Sequence, residues 1–156
     1  MPSLYMMIGV PGSGKSTWIA NQNFDWNRTA IISTDNIIDQ RAVAQGKSYS
    51  DVFQKEIKSA TAEMNQNLRD AIDNQMDIIW DQTNVTARAR QSKLRSIPSN
   101  YQKIAVFFAT PEWNELQKRL SSREGKNIPS NIVMSMMSQL EPPNEHEGWD
   151  KIIIAE

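Results

Sequence analysis

The chain has 156 residues, 39% of them hydrophobic, and 17 basic against 18 acidic residues leave a net charge of -1. This length predicts one globular domain with a sizeable core, spanning residues 1–156, and no second domain. The near-neutral charge argues against a protein that coats nucleic acid through a broad basic surface, so any nucleic-acid contact is expected to be local.

The first predicted element is a buried strand over the apolar run Leu4 to Ile8. Residues 9–16 then read Gly-Val-Pro-Gly-Ser-Gly-Lys-Ser, a complete G-x-x-x-x-G-K-[ST] phosphate-binding loop, and a helix begins at Lys15. The glycines let successive N–H groups point at phosphate oxygens, and the helix adds its positive N-terminal end. We therefore predict ATP binding by Gly9, Pro11, Gly12, Ser13, Gly14, Lys15, Ser16 and Thr17, with Lys15 at the β and γ phosphates, Ser16 on Mg²⁺ and Thr17 near the α phosphate.

A second buried strand, Ala30 to Ile32, is followed by Asp35. A short helix over 36–44, a loop over 45–50 and a long helix over 51–74 are predicted next, the last with an apolar stripe facing the core. Asp35 is placed to accept the proton of an attacking hydroxyl, and we interpret it as a general base. The alternative is an N-cap for the helix that starts at Asn36, and the two roles are compatible.

The third strand, Ile78 to Trp80, ends at Asp81, which is interpreted as a Walker B carboxylate for Mg²⁺. A turn or capping role is the alternative. Thr83 and Asn84 are secondary candidates for binding the phosphate acceptor, although both residue types favour plain turns. A basic helix over 86–97, ended by Pro98, carries Arg88 near the expected acceptor side, where a solvated face is equally compatible with the pattern.

A fourth strand is predicted over 104–109, and Thr110-Pro111-Glu112 favours a helix start with Thr110 as N-cap. Arg119 and Arg123 are four residues apart, hence predicted on one helix face, and we interpret them as catalytic arginines of a lid over about 117–131. A solvated helix face is the alternative. A helix over 132–140 and a last strand over 152–154 complete the chain.

Alternating strands and helices predict a three-layer α/β fold of the P-loop NTPase class, with a parallel sheet of about five strands, helices on both faces and a helical lid. The carboxyl ends of parallel strands share one sheet edge, so Lys15, Asp35, Asp81 and Thr110 are expected to converge around the ligand.

The loop at 9–18 together with Asp35, residues 81–84, Lys118-Arg119, Arg123 and Ile128-Pro129 resembles the phage-type polynucleotide 5'-hydroxyl kinase family. The resemblance implies an ATP- and Mg²⁺-dependent transfer of the γ phosphate to the 5'-hydroxyl end of DNA or RNA. The implied catalytic residues are Lys15, Ser16, Asp35, Arg119 and Arg123.

Two departures from that family stand out. Its members often carry an arginine three residues after the base, to grip the acceptor's phosphate, whereas this chain has Ile38, with Arg41 one turn later as a candidate substitute. The phosphatase domain of bifunctional members is not expected.

Two other functions stay open. A small-molecule kinase acting on a nucleoside, nucleotide or sugar is favoured by the near-neutral charge and by Ile38. The segment Asp81-Gln82-Thr83-Asn84-Val85 also resembles the P-loop domain of the heterogeneous nuclear ribonucleoprotein U family, which implies a non-catalytic, RNA-associated ATP-binding module.

The absence of cysteines and of membrane-type segments bears on the expected cellular location. There is no cysteine, so disulfides and thiolate metal sites are excluded, and the single histidine cannot build a metal site alone. No signal-peptide pattern or transmembrane stretch is present, so a cytoplasmic protein with no membrane partner is expected. The sequence leaves the oligomeric state open.

Overall fold

The architecture is that of a computed structural model describing all 156 residues. Its five strands are β1 (Ser3–Ile8), β2 (Thr29–Ile32), β3 (Asp77–Trp80), β4 (Gln102–Phe108) and β5 (Lys151–Ala155). They form one fully parallel sheet in the order β2-β3-β1-β4-β5. Parallel neighbours need a crossover connection, and helices supply those connections here.

The helices are α1 (Lys15–Ala20), α2 (Thr34–Ala44), α3 (Tyr49–Asp73), α4 (Ala87–Leu94), α5 (Trp113–Ser121) and α6 (Ser130–Gln139), with a 3₁₀ turn at Glu145–Glu147. None of them is both long and apolar enough to cross a membrane. Local sequence explains where several begin. Ser33 caps α2, Thr86 caps α4, and Ser48 with Asp51 forms a capping box that starts α3.

The two faces of the sheet are covered by different helices. Alternate side chains of β1 point to opposite faces: Leu4, Met6 and Ile8 join a core under α2 and α3, and Met7 joins a core under α1. The predicted stripe of the long helix lies in the first of these cores, with Val52 as a further buried member. A third apolar cluster, including Val10, Leu116 and Val133, packs α5 and α6 against the phosphate-binding loop.

The sheet with helices on both faces confirms the predicted α/β P-loop fold, and three local expectations were wrong. α5 begins at Trp113, not at Thr110, and no side chain caps it; Thr110 and Pro111 instead continue past the sheet edge and line a cavity. Asp35 lies in the first turn of α2 and does not cap it, because Ser33 does. α5 ends at Ser121, so Arg123 lies beyond the helix and does not share a helix face with Arg119.

Candidate active site

The phosphate-binding loop runs from the end of β1 to the start of α1. Gly14 has φ +105°, a left-handed conformation that favours glycine, and it occupies the N-cap of α1. The backbone N–H of Gly9 donates to the carbonyl of Thr83 at 2.9 Å, which fastens the loop to the segment after β3. The backbone at this helix start is therefore shaped to present N–H groups to an anion.

Two side chains of the loop, Lys15 and Ser13, differ in their hydrogen bonding. Lys15 Nζ donates to the carbonyls of Gly9 and Val10 at 2.8 and 2.9 Å, so the ammonium lies inside the curl of the loop. Burial lowers the pKa of Lys15 to about 8, with the charge of Asp81 acting in the opposite direction. Ser13 Oγ is buried without a hydrogen-bond partner, a polar atom that the fold alone leaves unsatisfied.

Helix α5 packs directly against the loop. Gly12 has φ +81°, a conformation that favours glycine, and a Cβ added there would lie 2.9 Å from Cδ1 of Leu116, so a larger residue would be strained and would displace this side chain. The guanidinium of Arg119 donates to the carbonyl of Gly12 at 3.0 Å and pairs with Glu115 at the same distance. The packing of α5 thereby holds Arg119 against the phosphate-binding loop.

A cavity of about 940 Å³ adjoins the loop. Among its lining residues are six of the predicted ATP-binding residues together with both predicted lid arginines: Gly12, Ser13, Gly14, Lys15, Ser16, Thr17, Arg119 and Arg123. The two arginines therefore share a cavity although they do not share a helix face. Gly9 and Pro11 belong to the same loop, but both are largely buried and lie outside this lining.

Asp35 carries a half-exposed carboxylate with a partner on each oxygen. The Tyr49 hydroxyl donates to Oδ1 at 2.7 Å, and Lys126 Nζ donates to Oδ2 at 3.0 Å. Burial alone would raise the pKa of Asp35, but the Lys126 charge and these two hydrogen bonds hold that pKa below its ordinary value. The carboxylate is therefore ionised at neutral pH and held in one orientation.

Asp81 follows β3 directly, and its backbone N–H donates to the carbonyl of Ile32 at 2.8 Å. Burial raises the pKa of this carboxyl, while the charge of Lys15 lowers it. A cavity of about 650 Å³ is lined by Asp81, Asp35, Lys15, Ser16 and Arg123 together. The predicted convergence at one sheet edge thus holds for Lys15, Asp35 and Asp81, whereas Thr110 lines the cavity of about 940 Å³ and not this one.

The residues present fit a bound Mg²⁺. Ser16 and Asp81 present a hydroxyl and a carboxylate to one cavity, and Mg²⁺ prefers a few such oxygen ligands completed by water and substrate phosphates. No group of three or more histidine, aspartate or glutamate side chains forms a cage of its own. A partial protein ligand set is the type expected for an ion that arrives with a nucleotide.

Arg41 does not reach either cavity. Its guanidinium donates to Glu56 at 2.8 Å and to Ser59, and it reaches Glu63 at 3.3 Å, so it fastens α2 to α3. Ile38, at the position where a phosphate-gripping arginine is common in the resembled family, is fully buried in the core. These contacts do not favour the prediction that Arg41 substitutes for that arginine, because its guanidinium is engaged by side chains of α3.

Of the two acceptor candidates in the segment after β3, only Thr83 faces a cavity. Thr83 lines the cavities beside Asp35. Asn84 does not: it is 3% exposed, with φ +48°, its amide donates to the carbonyl of Met7 at 2.8 Å, and its side-chain oxygen accepts from Lys93. Asn84 is thus a structural residue of the turn. Arg88 is exposed on α4 and lines neither the cavities of about 940 and 650 Å³ nor a third one, of about 530 Å³, that also adjoins Asp35.

Sequence reasoning missed Tyr49 and Gln82 and saw Lys126 only as part of a lid loop. Gln82 lines the cavities beside Asp35, where Trp80 Nε1 and Lys93 Nζ donate to its Oε1 and its Nε2 donates to Thr34. No motif marks any of these residues. A weak signal for Lys126 existed, since a lysine next to Gly125 in a polar loop is suited to reach a carboxylate.

The fold and the site together define a P-loop domain of the kinase-like type. Residues 4–143 match the profile of the AAA domain family, and the chain belongs to that family. A curated relative, human heterogeneous nuclear ribonucleoprotein U-like protein 2, is 24% identical over 97% of the chain. That match covers 21% of the relative, so the chain spans about a fifth of its length.

Solved structures share the fold at low sequence identity. A chain of the Pnkp1/Rnl/Hen1 RNA repair complex matches with a TM-score of 0.65 and 22% identity, over 89% of this chain and 44% of that one. A fungal RNA kinase matches with a TM-score of 0.61 and 16% identity, over 99% and 74%. A gluconokinase from Sinorhizobium meliloti matches with a TM-score of 0.55 and 19% identity, over 98% and 81%. The shared fold thus occurs in structures named as kinases for RNA and for a small molecule.

Proposed function

We propose that this protein is an ATP-dependent kinase that transfers the γ phosphate to the 5'-hydroxyl end of DNA or RNA. One observation carries the proposal: the cavity lined by Lys15 and Ser16 of the phosphate-binding loop is also lined by the ionised carboxylate of Asp35. A donor site and a proton acceptor thus open to one space. The likeness to a structure named as an RNA kinase and to a chain of an RNA repair complex supports nucleic acid as the acceptor.

In the proposed reaction, the 5'-hydroxyl oxygen attacks the γ phosphorus and forms the new P–O bond, while the bond from that phosphorus to the oxygen of ADP breaks. The hydroxyl proton passes to Asp35, and ADP leaves with the bonding electron pair. Lys15, Arg119 and Arg123 offset negative charge on the phosphoryl oxygens. Mg²⁺, held by Ser16 and Asp81, would supply further charge neutralisation.

Incubation with γ-labelled ATP and Mg²⁺ against a panel of acceptors tests the proposal. The panel contains 5'-hydroxyl DNA and RNA oligomers, the same oligomers with 5'-phosphate, nucleosides and simple sugars. Label on 5'-hydroxyl oligomers and not on their 5'-phosphorylated controls is expected. Label on a small molecule with none on any oligomer contradicts the proposed acceptor.

A small-molecule kinase is the second candidate function. The buried Ile38, the engagement of Arg41 by α3 and the likeness to a gluconokinase favour it. A non-catalytic, RNA-associated ATP-binding module is the third, and the similarity to a ribonucleoprotein favours it. In the same panel the second candidate predicts label on a nucleoside or sugar alone, and the third predicts ATP binding without any labelled product.

A further inference from the structure

The third cavity, of about 530 Å³, adjoins Asp35 and shares part of its lining with the cavity of about 650 Å³. Its polar end is formed by Asp35, Asp81 and Thr83, and the rest of its lining includes apolar side chains from two directions. Helix α3 contributes Phe53 and Ile57, while the lid and α6 contribute Ile128, Ile132 and Met136. The cavity therefore joins the candidate base to a largely apolar slot between α3 and α6.

The charges around this cavity do not suit a phosphate. Its acidic and basic lining residues are Asp35, Asp81 and Lys126, which leave a formal charge of -1 when all three are ionised. Lys126 is the single cation among them, and it is already bound to Asp35 at 3.0 Å. Phosphate groups of nucleic acids are held mainly by free lysine and arginine side chains or by backbone N–H groups, so an anionic group would be disfavoured here.

No arginine faces this cavity: Arg123, like Lys47, lines the neighbouring cavity of about 650 Å³ and not this one. Ile38 is fully buried, and the Arg41 guanidinium is engaged by Glu56 and Glu63. The part of the acceptor that enters beside the base must therefore be recognised by something other than its charge.

We propose that the acceptor is selected through an uncharged planar ring, the nucleobase of its 5'-terminal nucleoside, which binds in the apolar slot while the strand's phosphates stay outside. This inference rests on the proposed function and specifies how the acceptor is recognised. Burial of a flat apolar face against aromatic and aliphatic side chains is favourable and tolerant of base identity. It also places the adjoining 5'-hydroxyl at the polar end, beside Asp35.

Phe53 is the side chain best placed to stack on the ring. The Tyr49 ring has Lys126 Nζ over it, 4.3 Å from its centroid, and its hydroxyl is bound to Asp35. Phe53 lies next to it, with ring centroids 5.6 Å apart, is half-buried, and has no polar group. Tyr49 therefore positions the carboxylate of Asp35, and the Phe53 ring is free to stack on the nucleobase of the acceptor.

The test compares two 5'-hydroxyl oligomers of the same sequence, one with a normal 5' nucleotide and one whose 5' residue is a tetrahydrofuran without a base. Transfer of label from ATP is measured as kcat/KM at several salt concentrations. We expect the abasic acceptor to be about tenfold or more poorer, because stacking on one base is worth that much. Only a shallow salt dependence of KM is expected, since few phosphates are contacted.

Phe53→Leu should raise the acceptor KM about tenfold for the base-bearing oligomer and leave the abasic oligomer and the ATP KM unchanged. Because Phe53 also packs against the core, Ile132→Ala at the more exposed far wall is a second variant with the same expected pattern in smaller degree. Met134→Ala, an exposed apolar truncation on the same helix outside the slot, is the matched control.

The outcomes separate the two proposals. Equal kcat/KM for the two oligomers, or a steep salt dependence, overturns ring recognition while the kinase activity stands. No label on either oligomer means that the proposed function itself fails. Label on a free nucleoside alone keeps ring recognition and moves the acceptor class to a small molecule.

Discussion

Lys126, in the predicted lid segment between α5 and α6, donates a 3.0 Å hydrogen bond to Oδ2 of Asp35, in the first turn of α2, across 91 residues of sequence. The lid segment is also fastened to the start of α3, because Ser50 donates to the carbonyl of Gly125 and accepts from the backbone of Asn127, both at 3.0 Å. The position of this segment and the pKa of the Asp35 carboxyl are thus coupled through the ion pair of Asp35 with Lys126.

Asp35→Asn should abolish phosphoryl transfer with little effect on ATP binding. The amide keeps the shape of the carboxylate but cannot take the acceptor's proton, so kcat should fall by about 10²-fold or more. Labelled transfer and equilibrium binding of ATP are measured side by side. Asp73→Asn, an exposed aspartate at the far end of α3, is the control. A rate close to that of the parent protein contradicts the assignment of Asp35 as base.

Lys126→Met should move the acid limb of the pH–rate profile to higher pH. The Lys126 charge lowers the pKa of Asp35, and the ionised form is the active one, so activity is present above that pKa and lost as pH falls through it. Without Lys126 the pKa rises, and the loss begins at higher pH.

Lys126→Arg keeps the charge and should leave the acid limb nearly in place. NMR titration of the Asp35 carboxyl gives a readout that does not depend on turnover, and it should report the same upward shift in Lys126→Met. If the acid limb and the carboxyl titration are both unchanged in Lys126→Met, the ion pair does not determine the pKa of Asp35.

Arg41→Met should leave the acceptor KM and kcat unchanged and lower thermal stability slightly, because Arg41 bridges α2 and α3 near the surface rather than facing a cavity. Arg69→Met, which changes an exposed arginine of α3 whose partner Gln66 lies on the same helix, is the control. A rise of about tenfold in the acceptor KM for Arg41→Met alone would return this residue to the acceptor site.

Much of the fold could be predicted because its signals are local. The apolar runs of β1 to β4 and the apolar stripe of α3 are each contained in one short segment of sequence. They predicted the ends of these five elements to within about three residues. The start of α5 was misplaced because Thr110-Pro111-Glu112 has good capping chemistry, yet the path of the chain beside the phosphate-binding loop keeps these residues out of the helix. Tertiary packing overrode local propensity there.

The placement of Lys15, Asp35 and Asp81 around one cavity could be predicted, because each follows the end of a parallel strand. The site could not be predicted where function depends on a partner far along the chain. Tyr49 and Lys126 meet Asp35 from elements 14 and 91 residues away. Asn84 and Arg41 have residue types suited to a substrate, but burial and ion pairing, which sequence spacing does not report, give them structural roles.

The ion pair between Arg90 and Glu147 is buried, and its loss should destabilise the fold. Arg90 belongs to the helix predicted to be basic, for which a solvated face was one of two alternatives. It is fully buried, and its guanidinium donates to both Glu147 oxygens at 2.7 and 2.9 Å and to the carbonyls of Asn84 and Val85. Glu147→Ala leaves this guanidinium without a counter-charge, which should reduce the free energy of unfolding by about 3 kcal/mol. The control, Glu145→Ala on the exposed side of the same turn, should change it by about 0.5 kcal/mol or less.

The same pair gives a pH dependence with a defined sign. Burial raises the pKa of Glu147, but its hydrogen bonds with Arg90 hold that pKa below the ordinary value. The stabilisation is therefore present above the unfolded-state pKa and is lost as pH falls through the folded one. In urea unfolding, the difference between parent and Glu147→Ala should shrink on acidification from pH of about 7 toward about 3. A difference that stays constant over this range would mean that the lost stability comes from packing and not from the ion pair.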